Sequence, residues 1–408
     1  MSWQDSTLGE LARLDGGLIQ TGPFGSQLHQ AEYETEGVPV VMPKDIADGR
    51  ISGASVARVS EQTANRLQRH KLKPQSIVLP RRGEVTKRAY IRDEQEGWLC
   101  GTGCLKIELD GRHLVPAYLY YFMEQEHVTK WLLQHAVGTT MLNLSAGIVS
   151  ALPIRYPTPD VQRAIADNLT TYDDLIENNR RRMALLEESA RLLYREWFVR
   201  LRFPGYEHTP VVDGVPKGWE RVRVDKLGTV LTGKTPSTKD ADNYGGDIPF
   251  IKTPDMHGNA FVLQAETYLT EKGAKTQTNK FLPPGALLVS CIGTVGVVSL
   301  TAEFCQFNQQ INAVIPCEHF LRYYSYFALK EMKPRLDAIG GGVTMANVSK
   351  GKFESMDLLR PASALLRNFD EYSSPVFNQI KVLGQQNQKL HTARDLLLPR
   401  LMSGELAV

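Results

Sequence analysis

Two long stretches of the chain carry mostly apolar residues at alternating steps of four and three positions, with charged residues outside them. The first series consists of Ile165, Leu169, Tyr172, Ile176, Asn179, Met183, Leu186, Ala190, Leu193 and Trp197. The second consists of Val376, Ile380, Leu383, Asn387, Leu390, Leu397 and Leu401, with Arg394 interrupting it. This spacing is typical of helices that pair side by side in a coiled coil. The pattern therefore predicts two long helices, and we call each series a seam.

Four residues in these helices break the apolar pattern in different ways. Asn179 and Asn387 are polar seam positions, which cost stability but fix register or orientation. Pro375 has no counterpart in the first stretch and is expected to begin or kink the second helix, because proline lacks the amide hydrogen. Pro399 is expected to end it.

The sequence contains an internal repeat. GTTMLNLS (138–145) and GVTMANVS (342–349) start 204 positions apart, Gly342 against Gly138, in a chain of 408 residues. Upstream of this repeated phrase, VPVVMPKDI (38–46) parallels IPFIKTPDM (248–256), and LKPQSIVLPRRG (72–83) parallels LPPGALLVSCIG (282–293). Two copies are too few for a solenoid, so we interpret the repeat as a tandem duplication.

The duplication predicts an α+β protein with two globular domains, because the length exceeds what one core usually supports. The Pro- and Gly-rich stretch between the copies is a linker that lets the long helices pair in antiparallel fashion, separating the domains with pseudo-twofold symmetry. The predicted divisions are a first domain (1–157), a first helical region (158–202), a linker (203–217), a second domain (218–361) and a second helical region (362–408).

Composition adds few constraints. The chain is 42% hydrophobic and 23% charged with a net charge of +2, which is typical of soluble globular proteins and compatible with a locally basic, DNA-binding face. The longest uncharged run, 281–302, is broken by prolines and predicts buried strands rather than a membrane span. The N-terminus lacks the features of a signal peptide. Five cysteines without a CxxC pair predict structural thiols, no metal site and a cytoplasmic location.

One stretch imitates a nucleotide-binding motif. GTVLTGKT (228–235) satisfies the phosphate-loop pattern, but the turn-forming PSTKDADNYGG follows it, where that motif requires a helix. DIPF (247–250) resembles an amino-methyltransferase signature but lacks its second proline, and no glycine-rich loop for a methyl donor occurs. No catalytic constellation emerges. The sequence predicts a noncatalytic chain, with a nucleotide-binding protein and a coiled-coil scaffold as alternatives.

A basic segment is the first candidate for DNA contact. Between Arg66 and Arg92 there are nine Lys and Arg residues against the single acidic Glu84. SIVLPRRGEVTKRAYI (76–91) predicts a strand, a basic turn and a strand, a shape that suits entry into a DNA groove. The alternative is an ordinary solvated basic face. The candidates in this segment are Arg81, Arg82, Lys87 and Arg88.

The repeated phrase supplies further candidates, because small hydroxyl and amide side chains contact phosphates and base edges, although they also make ordinary turns. These residues are Thr139, Thr140, Asn143, Ser145, Thr344, Asn347 and Lys350. Polar turns elsewhere add Lys44, Lys234, Thr235, Lys252 and Thr253.

Several motifs together carry a family resemblance. They are TGPFGSQL (21–28), GTTMLNLS, LLYREWFVRLRFPG (192–205), PKGW (216–219), TGKTPS (232–237) and LLLPRLMSGEL (396–406). In this order and spacing, the chain resembles the specificity subunit of Type I restriction–modification systems over essentially its whole length.

The resemblance implies that two target-recognition domains each read one half of a split double-stranded DNA target. It also implies that an antiparallel coiled coil sets the gap between the halves and docks two modification subunits, so the seam residues from Tyr172 to Trp197 and from Ile380 to Leu397 become candidate partner contacts. The modification subunits would use S-adenosylmethionine to methylate adenine, and restriction subunits would use ATP. No cofactor is expected on this chain, and no membrane.

Overall fold

The chain divides into two compact units. The computed structural model describes residues 3–47, 49–52, 56–341 and 346–408. The first unit comprises Met1–Asp174 and Leu390–Val408, and the second comprises Leu175–Lys389. Each unit combines helices with sheets, so the α+β prediction is confirmed. Each unit also includes part of both long helices.

The two long helices are present. The first spans Pro159–Tyr194 and continues into a π-helical turn at Arg195–Val199, and the second spans Ser363–Ser403. In the second unit, Asn179 hydrogen-bonds Asn387, and the ring of Trp197 lies 6.0 Å from that of Phe369. Rising numbers on one helix therefore meet falling numbers on the other. The segments in this unit are antiparallel.

The two prolines of the second helix do not bound it. The helix begins at Ser363 and ends at Ser403, so Pro375 does not begin it, and the prediction that Pro399 ends it is wrong. The alternative, that Pro375 kinks the helix, stays a prediction. A proline within a helix removes one backbone hydrogen bond. Here Phe369 and Phe377, on either side of Pro375, are fully buried, and their packing offsets that loss.

The first unit contains two four-stranded sheets. In one, the order is Leu18–Thr21, Cys104–Glu108, Ile77–Pro80 and Ala89–Tyr90, all antiparallel. In the other, the order is Leu99–Cys100, Val38–Val41, Ala57–Val59 and Tyr33–Glu34. Two short pairs join Gln4–Thr7 to Pro153–Tyr156 and Ile46–Ala47 to Arg50–Ile51. The shorter α-helices are Leu8–Leu14, Glu61–Arg66, Pro116–Phe122, Glu126–His135 and Ala146–Ser150.

The second unit also has a mainly antiparallel larger sheet and a mixed smaller sheet, but with five and three strands instead of four and four. Its larger sheet has the order Gly228–Thr232, Ile311–Pro316, Leu287–Ser290, Val298–Thr301 and Phe261–Val262. Its smaller sheet has the order Thr267–Leu269, Tyr244–Ile251 and Gln306–Phe307. Further strands pair Glu220–Arg223 with Asp357–Arg360 and, within the predicted linker, Val211–Val212 with Val215–Pro216. The shorter α-helices are Thr253–Met256, Glu271–Lys275, Arg322–Glu331, Lys333–Gly340 and Lys350–Glu354.

The repeat extends to pairing direction and register. Val41 pairs in parallel with Cys100 in the first unit, and Ile251 pairs in parallel with Phe307 in the second. Because a one-residue slip would turn every side chain to the opposite face, shared register is a strong sign of common architecture.

The end of a long helix completes the core of each unit. Leu398, Leu401 and Met402 are buried among the apolar side chains of the first unit. Tyr194 and Trp197 occupy the corresponding place in the second. This arrangement explains why the motifs at 192–205 and 396–406 are apolar as well as helical.

Candidate nucleic-acid interface

The basic segment of the first unit is a hairpin, as the sequence predicts. Its strands pair in antiparallel fashion, with Ile77 opposite Tyr90 and Val78 opposite Ala89. Residues 81–88 connect the strands, and we call them the basic turn. Strand pairing fixes both ends of this turn, so its side chains are presented by a rigid support.

The repeated phrase packs directly on the basic turn. The amide of Leu144 donates to the carbonyl of Arg81 at 2.8 Å, and the amide of Gly83 donates to that of Leu142 at 3.0 Å. The Arg81 Nε also donates to Asn143 Oδ1 at 3.3 Å. Two stretches some sixty residues apart in the sequence thus form one surface.

The loop of the repeated phrase is closed at its base. Asn143 and Val137 exchange backbone hydrogen bonds of 2.9 Å in both directions. Thr139 and Thr140 lie at the exposed tip between them. Ser145 caps the helix Ala146–Ser150, since its hydroxyl accepts from the amide of Ile148 at 3.1 Å. Ser145 therefore has a structural role, and its predicted contact with DNA stays a prediction.

The four basic candidates of the turn differ in placement. Arg82 and Lys87 are exposed, and Lys87 pairs with Glu84. The Arg88 side chain is only 10% exposed, donates through Nε to the carbonyl of Tyr120 at 3.0 Å, and lies 3.1 Å from Glu124 Oε2. Arg88 thus points away from the surface that Arg82 shares with the repeated phrase.

Lys44 borders the same region from another side. It is exposed on the short 3-10 turn Pro43–Asp45. Asp45 holds this turn by accepting the amide of Met42 at 2.9 Å. Pro43 approaches Gly103, whose carbonyl accepts the amide of Arg81 at 2.7 Å.

In the second unit, the predicted polar turns meet around a loop that we call the amide loop, Asn308, Gln309 and Gln310. The amide of Lys234 donates to the Phe307 carbonyl at 3.0 Å, just before this loop. The Thr235 hydroxyl donates to Gln309 Oε1. The amide of Asn308 in turn donates to the Ile251 carbonyl at 3.0 Å, which brings the 252–253 turn alongside.

These second-unit candidates are unequally accessible. Lys234 is exposed, Lys252 is half-buried and Thr253 is buried. The Thr253 hydroxyl oxygen has no hydrogen-bond partner among the described residues. Buried hydroxyls are normally paired. Lys234 therefore presents its side chain to solvent, Lys252 and Thr235 do so in part, and Thr253 does not.

The second copy of the repeated phrase docks as the first does. The Val348 amide donates to the Cys291 carbonyl at 2.8 Å, and the Gly293 amide donates to the Ala346 carbonyl at 3.1 Å. Asn347 forms an isolated antiparallel β-bridge with Ile292, as Asn143 does with Arg82. Lys350 is exposed and pairs with Glu354 at 3.3 Å. Thr344 lies outside the described residues.

The two units carry different chemistry at this equivalent position. Arg81 and Arg82 precede Gly83, whereas Cys291 and Ile292 precede Gly293. Burial raises the pKa of the Cys291 thiol to about 11, so the thiol is neutral, and Asn312 Nδ2 donates to its sulfur at 3.2 Å. The same backbone frame therefore holds two cations in one unit and none in the other.

Glycine is required beside this frame in both units. A Cβ atom on Gly22 would lie 2.1 Å from the carbonyl oxygen of Gly101, and one on Gly233 would lie 2.1 Å from that of Asn308. The close backbone approach admits only glycine. This packing explains the Thr-Gly pairs of TGPFGSQL and TGKTPS without any phosphate.

The phosphate-loop pattern does not form a phosphate loop. Gly228–Thr232 is a strand in the larger sheet. The structure describes every residue from Lys234 to Asn243. Within this stretch only the 3-10 turn Ala241–Asn243 is helical, so no helix begins directly after Lys234. The nucleotide-binding alternative loses its structural basis.

The seams are occupied by the predicted residues. In the second unit, Asn179 Nδ2 donates to Asn387 Oδ1 at 2.9 Å, and Asn387 Nδ2 donates to the Ile176 carbonyl at 3.1 Å. Both asparagines are buried. The other seam candidates that are buried or half-buried are Tyr172, Met183, Leu186, Leu193, Trp197, Ile380, Leu383, Leu390 and Leu397.

Arg394 interrupts the second seam because it makes an ionic junction within the first unit. Its guanidinium lies 2.7 Å from Asp173 and 3.1 Å from Glu124, and its side chain is 13% exposed. Burial alone would lower the pKa of Arg394, but the two carboxylates raise it overall. Glu124 also pairs with Arg88, so one carboxylate joins the hairpin to the helix.

Two features escape the sequence prediction. The amide loop is a run of Asn and Gln between strands, and such a run carries no periodicity, although its polarity is a weak signal. Phe24 lies inside a quoted motif, yet only its 52% exposure beside Arg81 marks it as a surface residue.

In the described part of the chain, no group of His, Cys, Asp and Glu side chains is arranged to hold a metal ion. Among the described helices, none is long and apolar enough to cross a membrane.

The chain is thus a duplicated α+β protein whose two units each dock a repeated polar phrase on a hairpin, with paired long helices. The family model described as Type I restriction modification DNA specificity domain matches residues 1–188 and 216–363. The chain belongs to this family.

Individual relatives agree with the family assignment. The Type I restriction enzyme HindI specificity subunit of Haemophilus influenzae is 27% identical over 381 residues, covering 78% of this chain and 83% of the relative. The Type I restriction enzyme MjaIX specificity subunit of Methanocaldococcus jannaschii is 23% identical, covering 92% and 88%. The Type-I restriction-modification system S subunit from M. genitalium shares the fold, with a TM-score of 0.58 at 16% identity over 98% of this chain and 96% of that one.

Proposed function

We propose that this chain is the noncatalytic subunit that selects the DNA target of a Type I restriction–modification complex in the cytoplasm. Each unit would read one half of a bipartite double-stranded target. One observation carries the proposal: both units hold the repeated phrase against a hairpin turn, but they present different side chains there, Arg81 and Arg82 against Cys291 and Ile292. A shared frame with different contacts suits two readers of different sequences.

The candidate contacts in each unit suit this role. In the first unit, Arg82, Thr139 and Thr140 are exposed on one surface, and arginine is the side chain that most often grips guanine. In the second, Lys234 and Lys252 flank the amide loop, and lysines and amides suit phosphates and adenine edges respectively. DNA affinity should therefore depend strongly on salt.

We further propose that the outer faces of the long helices bind two modification subunits. Leu185, Leu192 and Val199 recur every seven residues on the first helix and are 70%, 51% and 52% exposed. Leu396, which is 66% exposed, takes the place of Leu192 on the second helix, 204 residues later. Exposed apolar residues are typical of interaction surfaces, and the equivalent places of Leu192 and Leu396 suit two copies of one partner.

The modification subunits would carry S-adenosylmethionine and adenine methylation, and the restriction subunits would carry ATP-driven cleavage. This chain would hold neither cofactor. The absence of a phosphate-loop helix after Lys234 supports that division.

The decisive experiment is methylome sequencing of cells that express this chain with its modification subunit. The expected result is adenine methylation at one two-part motif with an unspecified gap. Methylation that needs the modification subunit but follows no motif would refute target selection. Unchanged DNA binding on duplexes with and without the motif would instead support the coiled-coil scaffold.

The docking surface can be tested separately. Leu192→Glu and Leu396→Glu should each weaken binding of the modification subunit, since each places a charge on an apolar contact. Gln379→Glu, at an exposed position of the second helix roughly 100° around the helix axis from Leu396, is the matched control. Full assembly of both leucine variants would place the docking surface elsewhere.

A further inference from the structure

An exposed phenylalanine stands beside the basic turn. The Phe24 ring is 52% exposed, and the guanidinium carbon of Arg81 lies 5.3 Å from its centroid. Gln27 fixes the loop that carries the ring: its side-chain oxygen accepts the Phe24 amide at 3.1 Å, and its own amide donates to the Phe24 carbonyl at 2.8 Å. A local turn therefore holds the ring, which remains open to solvent.

The surroundings of the ring are cationic and polar. Arg81 also donates to Asn143 in the repeated phrase. Among the residues that the structure describes, no carboxylate forms an ion pair with Arg81, and none does so with Arg82. The positive charge around the exposed ring attracts negatively charged nucleic acid and repels another cationic surface.

We propose that Phe24 and Arg81 together form a platform on which one DNA base stacks. The proposal rests on the proposed function and adds an aromatic contact to it. Every base has a flat π face, so stacking removes both the base and the Phe24 ring from water, while the guanidinium contributes a cation–π contact. A base in a duplex exposes its face for such stacking where the duplex is kinked or the base is displaced from its helix.

The platform is a property of the first unit. Gly22 and Gly233 occupy equivalent places, so Thr235 stands where the first unit has Phe24. The Thr235 hydroxyl is bonded to Gln309. The second half-site should therefore be bound without an aromatic stack at this position.

The test measures DNA affinity of the complex between the full chain and its modification subunit. The probe is a duplex containing the motif established by methylome sequencing, with a scrambled duplex as reference. Phe24→Leu should weaken binding to the motif roughly 5- to 150-fold, the equivalent of about 1–3 kcal/mol for one lost stack. Phe24→Trp should retain affinity. The slope of log affinity against log salt should not change, because no charge is removed.

Phe304→Leu is the matched control, because Phe304 is a 65% exposed phenylalanine of the second unit. It should bind as the wild type does. If Phe24→Leu also binds as the wild type, the platform does not exist, while the proposed function stands. If Phe24→Leu loses the modification subunit in size-exclusion chromatography, the ring is a protein contact and the inference is overturned. A wild-type complex that fails to distinguish the two duplexes would refute the proposed function itself.

Discussion

Two arginines of one turn illustrate how position decides the role of a charge. Arg82 is exposed and has no ion-pair partner among the described residues, so its five donors are available for a ligand. The Arg88 guanidinium instead pairs with Glu124, donates to the Tyr120 carbonyl and lies 5.1 Å from the centroid of the Tyr120 ring. A buried ion pair of this kind orders the hairpin instead of reading DNA.

Substitution of these arginines should therefore separate binding from stability. Arg82→Ala should cost roughly 1–3 kcal/mol of specific affinity and relax preference at one base pair, if the side chain reads a base edge. Arg88→Ala should leave Glu124 with one cation fewer and lower the free energy of unfolding. Competition binding and thermal unfolding distinguish the two effects.

Lys87→Ala is the control for a phosphate contact. It should weaken binding to all DNA sequences alike and reduce the slope of log affinity against log salt concentration by about one. Because Glu84 already pairs with Lys87, a smaller loss than for Arg82 is expected. If Arg82→Ala and Lys87→Ala both bind the motif unchanged, the basic turn is a solvated face.

The sequence predicts the basic turn, but it does not predict that the Arg88 side chain is turned inward. Strand alternation and a cluster of cations are local signals, and they predict the hairpin correctly. The partners of Arg88 lie more than thirty residues away, at Tyr120 and Glu124, and no local pattern specifies that contact. The burial of Thr253 is likewise not predicted by its polar turn.

At the scale of elements, the seams are the most predictable feature, because a heptad repeat directly reflects helix geometry. The errors concern the prolines. A single proline is a weaker signal than the apolar residues around it, and the fully buried Phe377 continues the packing immediately after Pro375. Here tertiary packing outweighs the helix-breaking tendency of proline.

The asparagine pair offers a test of what the seam specifies. Asn179→Leu should destabilise the second unit by about 1–3 kcal/mol, because the buried Asn387 Oδ1 would lose its hydrogen-bond donor. The double variant Asn179→Leu with Asn387→Leu should recover much of that loss, since both partners become apolar. Chemical unfolding of the two single variants and the double variant measures the coupling. Strict additivity would show that the bond contributes nothing specific.

Helix length is the second test at this scale. A four-residue insertion adds roughly 6 Å, close to two base pairs of B-DNA. The insertion belongs between Asp174 and Leu175 and, in the partner helix, between Lys389 and Leu390, where none of the four residues is buried and the compact units divide. If the helices set the gap, lengthening both should widen the unspecified spacer by one or two base pairs and leave the half-sites unchanged. Methylome sequencing of a folded, active variant with an unchanged spacer would exclude the helices as the ruler.

At the scale of the whole molecule, the second unit is one continuous piece of chain, Leu175–Lys389, whereas the first unit is not. The first combines Met1–Asp174 with Leu390–Val408, so the end of the second long helix belongs to the core of the first copy. A duplicated sequence reveals two copies, but it does not reveal which helix end completes which core. That assignment depends on contacts between the two extremes of the sequence.

This organisation decides how the half-site specificities should be exchanged. Replacing 1–157 alone with the matching segment of a relative would leave Leu398, Leu401 and Met402 against a core they did not evolve with, and mismatched packing typically costs a few kcal/mol. Replacing 1–174 together with 390–408 keeps that core intact. Both exchanges should change one half of the methylated motif and leave the other, because the second unit keeps its own hairpin, amide loop and repeated phrase. The composite exchange should retain the thermal unfolding temperature of the parent, whereas the shorter one should lower it. Methylome sequencing and thermal unfolding of the two chimaeras provide the measurements. A composite exchange that altered both halves of the motif would show that the units do not read DNA independently.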